Sequence, residues 1–181
     1  MAADEDISSV LGVHSFHSYF NDTNALKKSK FGKWIDKNVS VRSDMSEWCE
    51  LPSAHDASDP ATACIMARVI SNDISKLNVN AWCNWVAVNE IGVGDDGKDY
   101  SGGLLVADPN NTADYYTAYR LYGYMQFSKF VPAGSQVLDC GDGMLTLTSS
   151  KTDEGTTYRE LVNETAFKTP DGKIVVVVVN E

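Results

Sequence analysis

Three times along this chain a short strand-like stretch gives way to a helical one, and from Ser135 onward the apolar period changes to two. Residues 10–17 read as an apolar strand ending in polar and aromatic residues. Asp22 or Thr23 can cap a helix running through Asp36, with Leu26, the stem of Lys30, Phe31 and Trp34 offering an apolar face. Residues 39–45 form the next strand. Asp59-Pro60 reads as an N-cap followed by proline at the first helical position. The helix it opens, to Leu77, places Ile65, Val69, Ile70, Ile74 and Leu77 mostly at three- and four-residue intervals. Residues 80–88 are a third strand carrying Trp82 and Trp85. A glycine- and aspartate-rich loop covers residues 92–103. A helix over 112–130 follows, with Tyr116, Tyr119, Leu121, Tyr124, Met125 and Phe127 too large and apolar for a free surface helix; Pro132-Ala133-Gly134 stops it.

Beyond that stop the expected strands are 136–140, 144–148, 158–163, 165–168 and 173–179. Gly141-Asp142-Gly143 and Pro170-Asp171-Gly172 supply the turn chemistry. The expectation is α/β over 1–134 and all-β over 135–181. Three parallel strands cannot close a barrel, which typically takes about 250 residues. The chain therefore reads as part of a larger protein, or as one that finds missing strands in another copy. The continuous apolar run from Ile174 to Val179 predicts a buried, central strand.

A hydrophobic content of 43% and a charged content of 22% are those of a globular protein. The net charge of −10 argues against binding nucleic acid, which needs clustered Lys and Arg. An acidic, aromatic-bearing protein fits neutral ligands such as sugars. No stretch reaches the roughly 18 apolar residues of a membrane span, and Met1-Ala2-Ala3-Asp4-Glu5-Asp6 has no signal-peptide character. Cys49, Cys64, Cys83 and Cys140 lack metal-ligand spacing and read as free thiols, with a Cys49–Cys83 disulfide left open. Asp95-Asp96-Gly97-Lys98-Asp99 lacks the remaining pattern of a calcium loop, so no metal and no cofactor are expected.

The chemistry concentrates in Val41-Arg42-Ser43-Asp44-Met45-Ser46-Glu47-Trp48-Cys49-Glu50. A strand that ends in a small residue, a carboxylate and a tryptophan is built to deliver an acid to a sugar site. Glycosidases normally use two such carboxyl groups, and no second one is evident. Glu50 reads as a rim residue. By period two, His14 falls on the face opposite His17 and is structural. By the same period Trp82 and Trp85 cannot both face one side of a regular strand.

Four motifs occur in order: His17-Ser18-Tyr19 after the first strand, Met45-Ser46-Glu47-Trp48 after the second, Ala81-Trp82-Cys83-Asn84-Trp85 in the third, and Gln126-Phe127-Ser128-Lys129-Phe130-Val131-Pro132-Ala133-Gly134-Ser135 at the end of the last helix. Together they resemble the C-terminal part of glycoside hydrolase family 30, retaining β-glycosidases. The resemblance implies an incomplete (β/α)8 barrel, its last three βα units (1–134), followed by part of a side β-sandwich (135–181). It implies Glu47 as nucleophile, with Tyr19 and His17 beside it. It also implies Trp85 as a floor for a sugar ring, Trp82 as a second aromatic or packed against a helix, and Trp48 on the leaving-group side. The general acid/base, a glutamate after the fourth strand, would lie upstream of Met1, so the isolated chain should be inactive. The parent would act on oligo- or polysaccharide and be secreted or periplasmic. The rival expectation is a non-catalytic glycan-binding or assembly module.

Overall fold

The computed structural model describes residues 9–21, 24–51, 55–140, 147–152, 155–160 and 162–180. The candidate caps Asp22 and Thr23, and the turn Gly141-Asp142-Gly143, lie outside them. Three parallel strands, β1 (His14–His17), β2 (Ser43–Trp48) and β3 (Ala81–Asn84), form a sheet in that order. Helix α1 (Ala25–Asn38) joins β1 to β2, and helix α2 (Ala61–Leu77) joins β2 to β3. The strands are shorter or later than expected: β1 begins at His14 rather than residue 10, and β2 runs on through Trp48.

Asn24 caps α1, its side chain accepting from Lys27 N at 3.0 Å. The face of α1 that turns inward is Ala25, Lys28, Gly32 and Ile35, not the expected Leu26–Lys30–Phe31–Trp34 set. Phe31 and Trp34 stack on each other at the surface. The reason is steric and electrostatic: Gly32 permits close approach to α2, and Lys28 finds a buried carboxylate there. Helix α2 starts one residue later than expected, at Ala61 with Pro60 at the cap position, and Asp59 Oδ1 accepts from Ala61 N at 2.9 Å. Its apolar side, Met66, Val69, Ile70 and Leu77, joins Met45, Trp48, Phe127 and Phe167 in the main core.

After β3 the structure departs from expectation. The residues read as one strand over 80–88 split into β3 and β4 (Val88–Glu90). Strand β4 pairs in parallel with β5 (Leu105–Asp108), which pairs antiparallel with β6 (Asn111–Thr117). The expected helix over 112–130 is thus half strand; only α3 (Arg120–Ser128) is helical. Asp108 Oδ1 accepts from Asn110 N at 2.8 Å, a side-chain turn that folds the chain back at Pro109. Tyr115, Tyr116 and Thr117 then suit a pleated surface better than a helix, and Val106 sits opposite Tyr116.

The remainder is all-β. Strands β7 (Gln136–Leu138), β10 (Val162–Lys168) and β11 (Ile174–Asn180) form a sheet in the order β11-β10-β7, and β8 (Leu147–Thr152) pairs with β9 (Gly155–Glu160). The Pro170-Asp171-Gly172 turn joins β10 to β11 as expected. Gly172 adopts φ 84°, which costs glycine nothing, and its N–H donates to Thr169 O. The valine run is not central. Strand β11 is an edge, with Val177 and Val179 buried and Ile174, Val176 and Val178 exposed. An apolar run alone does not distinguish two-sided burial from an uncovered face. Phe127 meets Phe167 edge-on at 6.3 Å, so the core continues past residue 134.

Candidate functional site

Strand β2 carries an irregularity that decides where Glu47 points. Phe16 is opposite Met45 but His17 is opposite Glu47, and on the other side Met45 is opposite Trp82 but Trp48 is opposite Asn84. Ser46 and Glu47 together therefore span the interval that one residue spans on each neighbour. This is a β-bulge, the device that re-aims a side chain within a ladder. Met45 and Trp48 both enter the core, although regular alternation would send them to opposite faces. Glu47 is turned to the other face at the C-terminal end of β2, with its side chain 28% exposed.

Two of the expected partners meet it there. The Tyr19 hydroxyl donates to Glu47 Oε1 at 3.2 Å, and His17 Nδ1 lies 3.8 Å from the same oxygen. Their rings meet edge-on at 5.8 Å. The Tyr19 hydroxyl also lies 3.6 Å from Cys49 Sγ. Burial, then the hydrogen bond to Cys49 and the Glu47 charge, hold the Tyr19 phenol above the ordinary tyrosine range, so it stays a donor. Burial likewise raises the Cys49 thiol, partly opposed by Tyr19 and Arg120. A phenolic donor on a carboxylate fixes its orientation while leaving its second oxygen free.

The tryptophans separate. Trp85 follows β3, is 56% exposed, and is tied to β2 by its N–H donating to Trp48 O at 2.9 Å. Trp82 faces the helices: its indole N–H donates to Asp73 Oδ2 at 2.8 Å and its ring lies between Trp48 and Tyr124. Trp48 is only 1% exposed. Trp48 therefore offers no ring face to a ligand on the Glu47 side, and Trp82 is partly buried against the core. The expected substrate contact of Trp48 is corrected on that ground, and Trp82 takes the packed arrangement given as its alternative. His14, as expected, lies away from His17, with Nδ1 3.1 Å from Ser43 Oγ. Glu50 is not a rim residue. It is buried, and its Oε1 is 2.6 Å from His55 Nδ1. All four cysteines are free. Among the described residues no His/Cys/Asp/Glu group is arranged to hold a metal ion, and no helix is long and apolar enough to cross a membrane.

Sequence reasoning missed a supporting layer. Asp73, fully buried in the C-terminal half of α2, accepts from Lys28 Nζ at 2.5 Å, Ser18 Oγ at 2.8 Å and Trp82 Nε1. Arg120, also buried, donates to Ser101 O at 2.6 Å behind Cys49 and Glu50, and burial lowers its pKa. The rim loop is tied together by Asp99, which accepts from Gly92 N, Ser101 N and the Tyr116 hydroxyl. The one available signal for Asp73 was a charge on the apolar face of α2, at position i+4 from Val69 and i−4 from Leu77.

Residues 147–181 match the family described as "Glycosyl hydrolase family 30 beta sandwich domain". No curated protein matches the chain. Among solved structures, SrfJ from Salmonella typhimurium is similar over 97% of this chain and 35% of its own, with TM-score 0.66 and 18% identity. An endoxylanase of family 30 from Clostridium papyrosolvens is similar over 99% of this chain and 36% of its own, with TM-score 0.62 and 20% identity. A conserved exported protein from Bacteroides fragilis is similar over 93% and 35%, with TM-score 0.62 and 16% identity. These likenesses are of fold, and the chain spans about a third of each structure's length.

Proposed function

We propose, from the relation of this chain to the C-terminal portion of glycoside hydrolase family 30, that it is the last three βα units and part of the side β-sandwich of a retaining β-glycosidase. Glu47 is its nucleophile. The observation that carries this reading is the bulge in β2, which turns Glu47 out of the core and under the Tyr19 hydroxyl. An ionised Glu47 attacks the anomeric carbon of a β-linked glycan to form a glycosyl ester, which water then hydrolyses. Tyr19 holds one carboxylate oxygen so that the other faces the sugar. His17, exposed beside it, serves the substrate hydroxyls. Trp85 presents an open indole face on which the apolar side of a pyranose can stack.

The second carboxyl group, needed roughly 5–5.5 Å from the nucleophile in a retaining site, comes from a preceding part of the parent barrel. The remaining strands pair along the free edge of β1, beside the surface aromatics Phe20, Phe31 and Trp34. The parent is exported, and its substrate is an oligo- or polysaccharide. The isolated chain does not turn over glycosides.

Two assays test this. The purified 181-residue chain is incubated with aryl β-glycosides and β-linked glycans, alone and as Glu47→Gln. No turnover is expected from either; robust turnover abolished by Glu47→Gln would overturn the inactive-fragment reading. The complete parent is then treated with an activated 2-fluoro-β-glycoside. A covalent mass increment on the peptide holding Glu47 is expected, and labelling elsewhere would remove Glu47 from the role.

A further inference from the structure

We propose that Asp73 is the positioning residue of the Glu47 site, acting through Ser18 to hold the His17-Ser18-Tyr19 segment in place; this rests on the reading of Glu47 given above. His17 ends β1, and His17, Ser18 and Tyr19 leave the strand at the point where side chains must reach toward β2. Ser18 is the middle one, and it points the opposite way from its neighbours. Its hydroxyl enters the core and donates to Asp73 Oδ1 at 2.8 Å, while Tyr19 donates to Glu47 at 3.2 Å. The segment is thus held from both sides of the sheet.

Asp73 is an unusually firm anchor. It is fully buried, and its donors come from three elements: Ser18 after β1, Lys28 on α1 and Trp82 on β3. Each oxygen has a donor, and Lys28 supplies the compensating charge. Moving Asp73 would require moving α1, α2 and β3 together. Backbone conformation at the next residue supports the view that this segment is externally constrained. Phe20 takes φ 65°, a left-handed geometry disfavoured for a bulky residue, and its side chain lies in solvent, where it gains no packing to offset the strain. Such a conformation persists where neighbouring contacts over-determine it, and the Ser18–Asp73 hydrogen bond is such a contact.

Cys49 reports on the arrangement without any need for turnover. Its sulfur is buried between the Tyr19 hydroxyl, at 3.6 Å, and the backbone of Gly102. If Ser18 is released from Asp73, Tyr19 moves off Cys49 and the thiol becomes reachable. The experiment is iodoacetamide alkylation of the 181-residue chain near neutral pH, resolved by peptide mass spectrometry, with exposed Cys83 as internal reference. Ser18→Ala is expected to speed Cys49 alkylation by about tenfold or more through local opening. Amide-exchange protection of Val69 and Ile70, in the centre of the core, should stay unchanged. Ser18→Thr, which keeps the hydroxyl, should restore slow alkylation.

Asp73→Asn removes the charge that Lys28 needs, so it is expected to accelerate Cys49 and to loosen the core as well. Unchanged Cys49 reactivity in Ser18→Ala would overturn the proposal. So would a parallel rise in Cys49 reactivity and core exchange, which is what a merely structural hydroxyl would give. Loss of the nucleophile assignment for Glu47 would show in the glycoside-labelling experiment and leave the thiol result as it stands.

Discussion

Gly32→Ala should open the α1–α2 interface at the point where it matters most. A Cβ at position 32 would stand 1.8 Å from Lys76 O and 2.9 Å from its carbonyl carbon. Both are helix backbone, so no side chain can swing aside. Relief to an acceptable 3.0 Å needs a separation of about 1.2 Å between the helices. Gly32 is one turn beyond Lys28 on the same buried face, and Lys76 is three residues beyond Asp73. The displacement therefore stretches the buried 2.5 Å Lys28–Asp73 contact as well. Overpacking costs about 1–3 kcal/mol. Complete loss of one partner of a buried ion pair costs about 3–5 kcal/mol, of which stretching takes a share. Replacing a mid-helix glycine by alanine returns about 1 kcal/mol in helix propensity.

The balance is a net destabilisation of about 2–4 kcal/mol, a large part of the stability of a typical domain. In urea, with a slope of about 1–3 kcal/mol per molar, the midpoint falls by roughly 1–2 M. Trp82, bonded to Asp73, and the buried Trp48 packed against it make intrinsic fluorescence a direct reporter. A midpoint unchanged or raised by Gly32→Ala would show that propensity outweighs the contact, and that the helices are not held this closely.

Two further outcomes follow from features at the far end of the chain. The Asp171 carboxyl is lowered to about 2 by its hydrogen bonds from Lys173 and Thr169. A depressed carboxyl stabilises the folded state above its unfolded value, near 3.9, and that contribution is lost as pH falls through about 2. Amide protection in the β10–β11 turn should therefore weaken progressively between about pH 4 and pH 2, whereas Asp171→Asn should show weaker protection at pH 5 with little change over that range; equal protection in the two proteins would count against the turn network. Val176 is 56% exposed on an edge strand whose central residues are all uncharged, the arrangement that invites edge-to-edge pairing. Val176→Lys should shift the chain to a smaller species in size-exclusion chromatography with stability changed by less than about 0.5 kcal/mol; an elution profile identical to the parent chain's would refute a role for this edge in self-association.

The elements that sequence reasoning located well are those with local signals. Asp59-Pro60 opens α2 and Pro170-Asp171-Gly172 turns β10 into β11; the nearness of His17 and Tyr19 to Glu47 is implied by the family resemblance and by no local signal. What escaped it depends on partners distant in sequence. Nothing local distinguishes Tyr115-Tyr116-Thr117 in a strand from the same residues in an aromatic helix; the opposing Val106 and Ala107 decide it. Lys28 looks like a surface lysine until Asp73, 45 residues away, is placed beside it. The family resemblance implies Trp48 and Trp82 as ligand contacts, yet Trp48 is buried and Trp82 packs against Trp48, Tyr124 and Asp73.

That bulge makes the site sensitive to length rather than to composition at one position. Ser46 is exposed, and its hydroxyl is only 3.4 Å from a carbonyl oxygen, so many residues could replace it. Deleting it is another matter. With regular pleating restored and Met45 kept in place, the carboxylate becomes the next residue and stays on the outer face, while the tryptophan still enters the core. A single-codon loss would thus keep the acid on its face and remove the local bend that sets it under the Tyr19 hydroxyl.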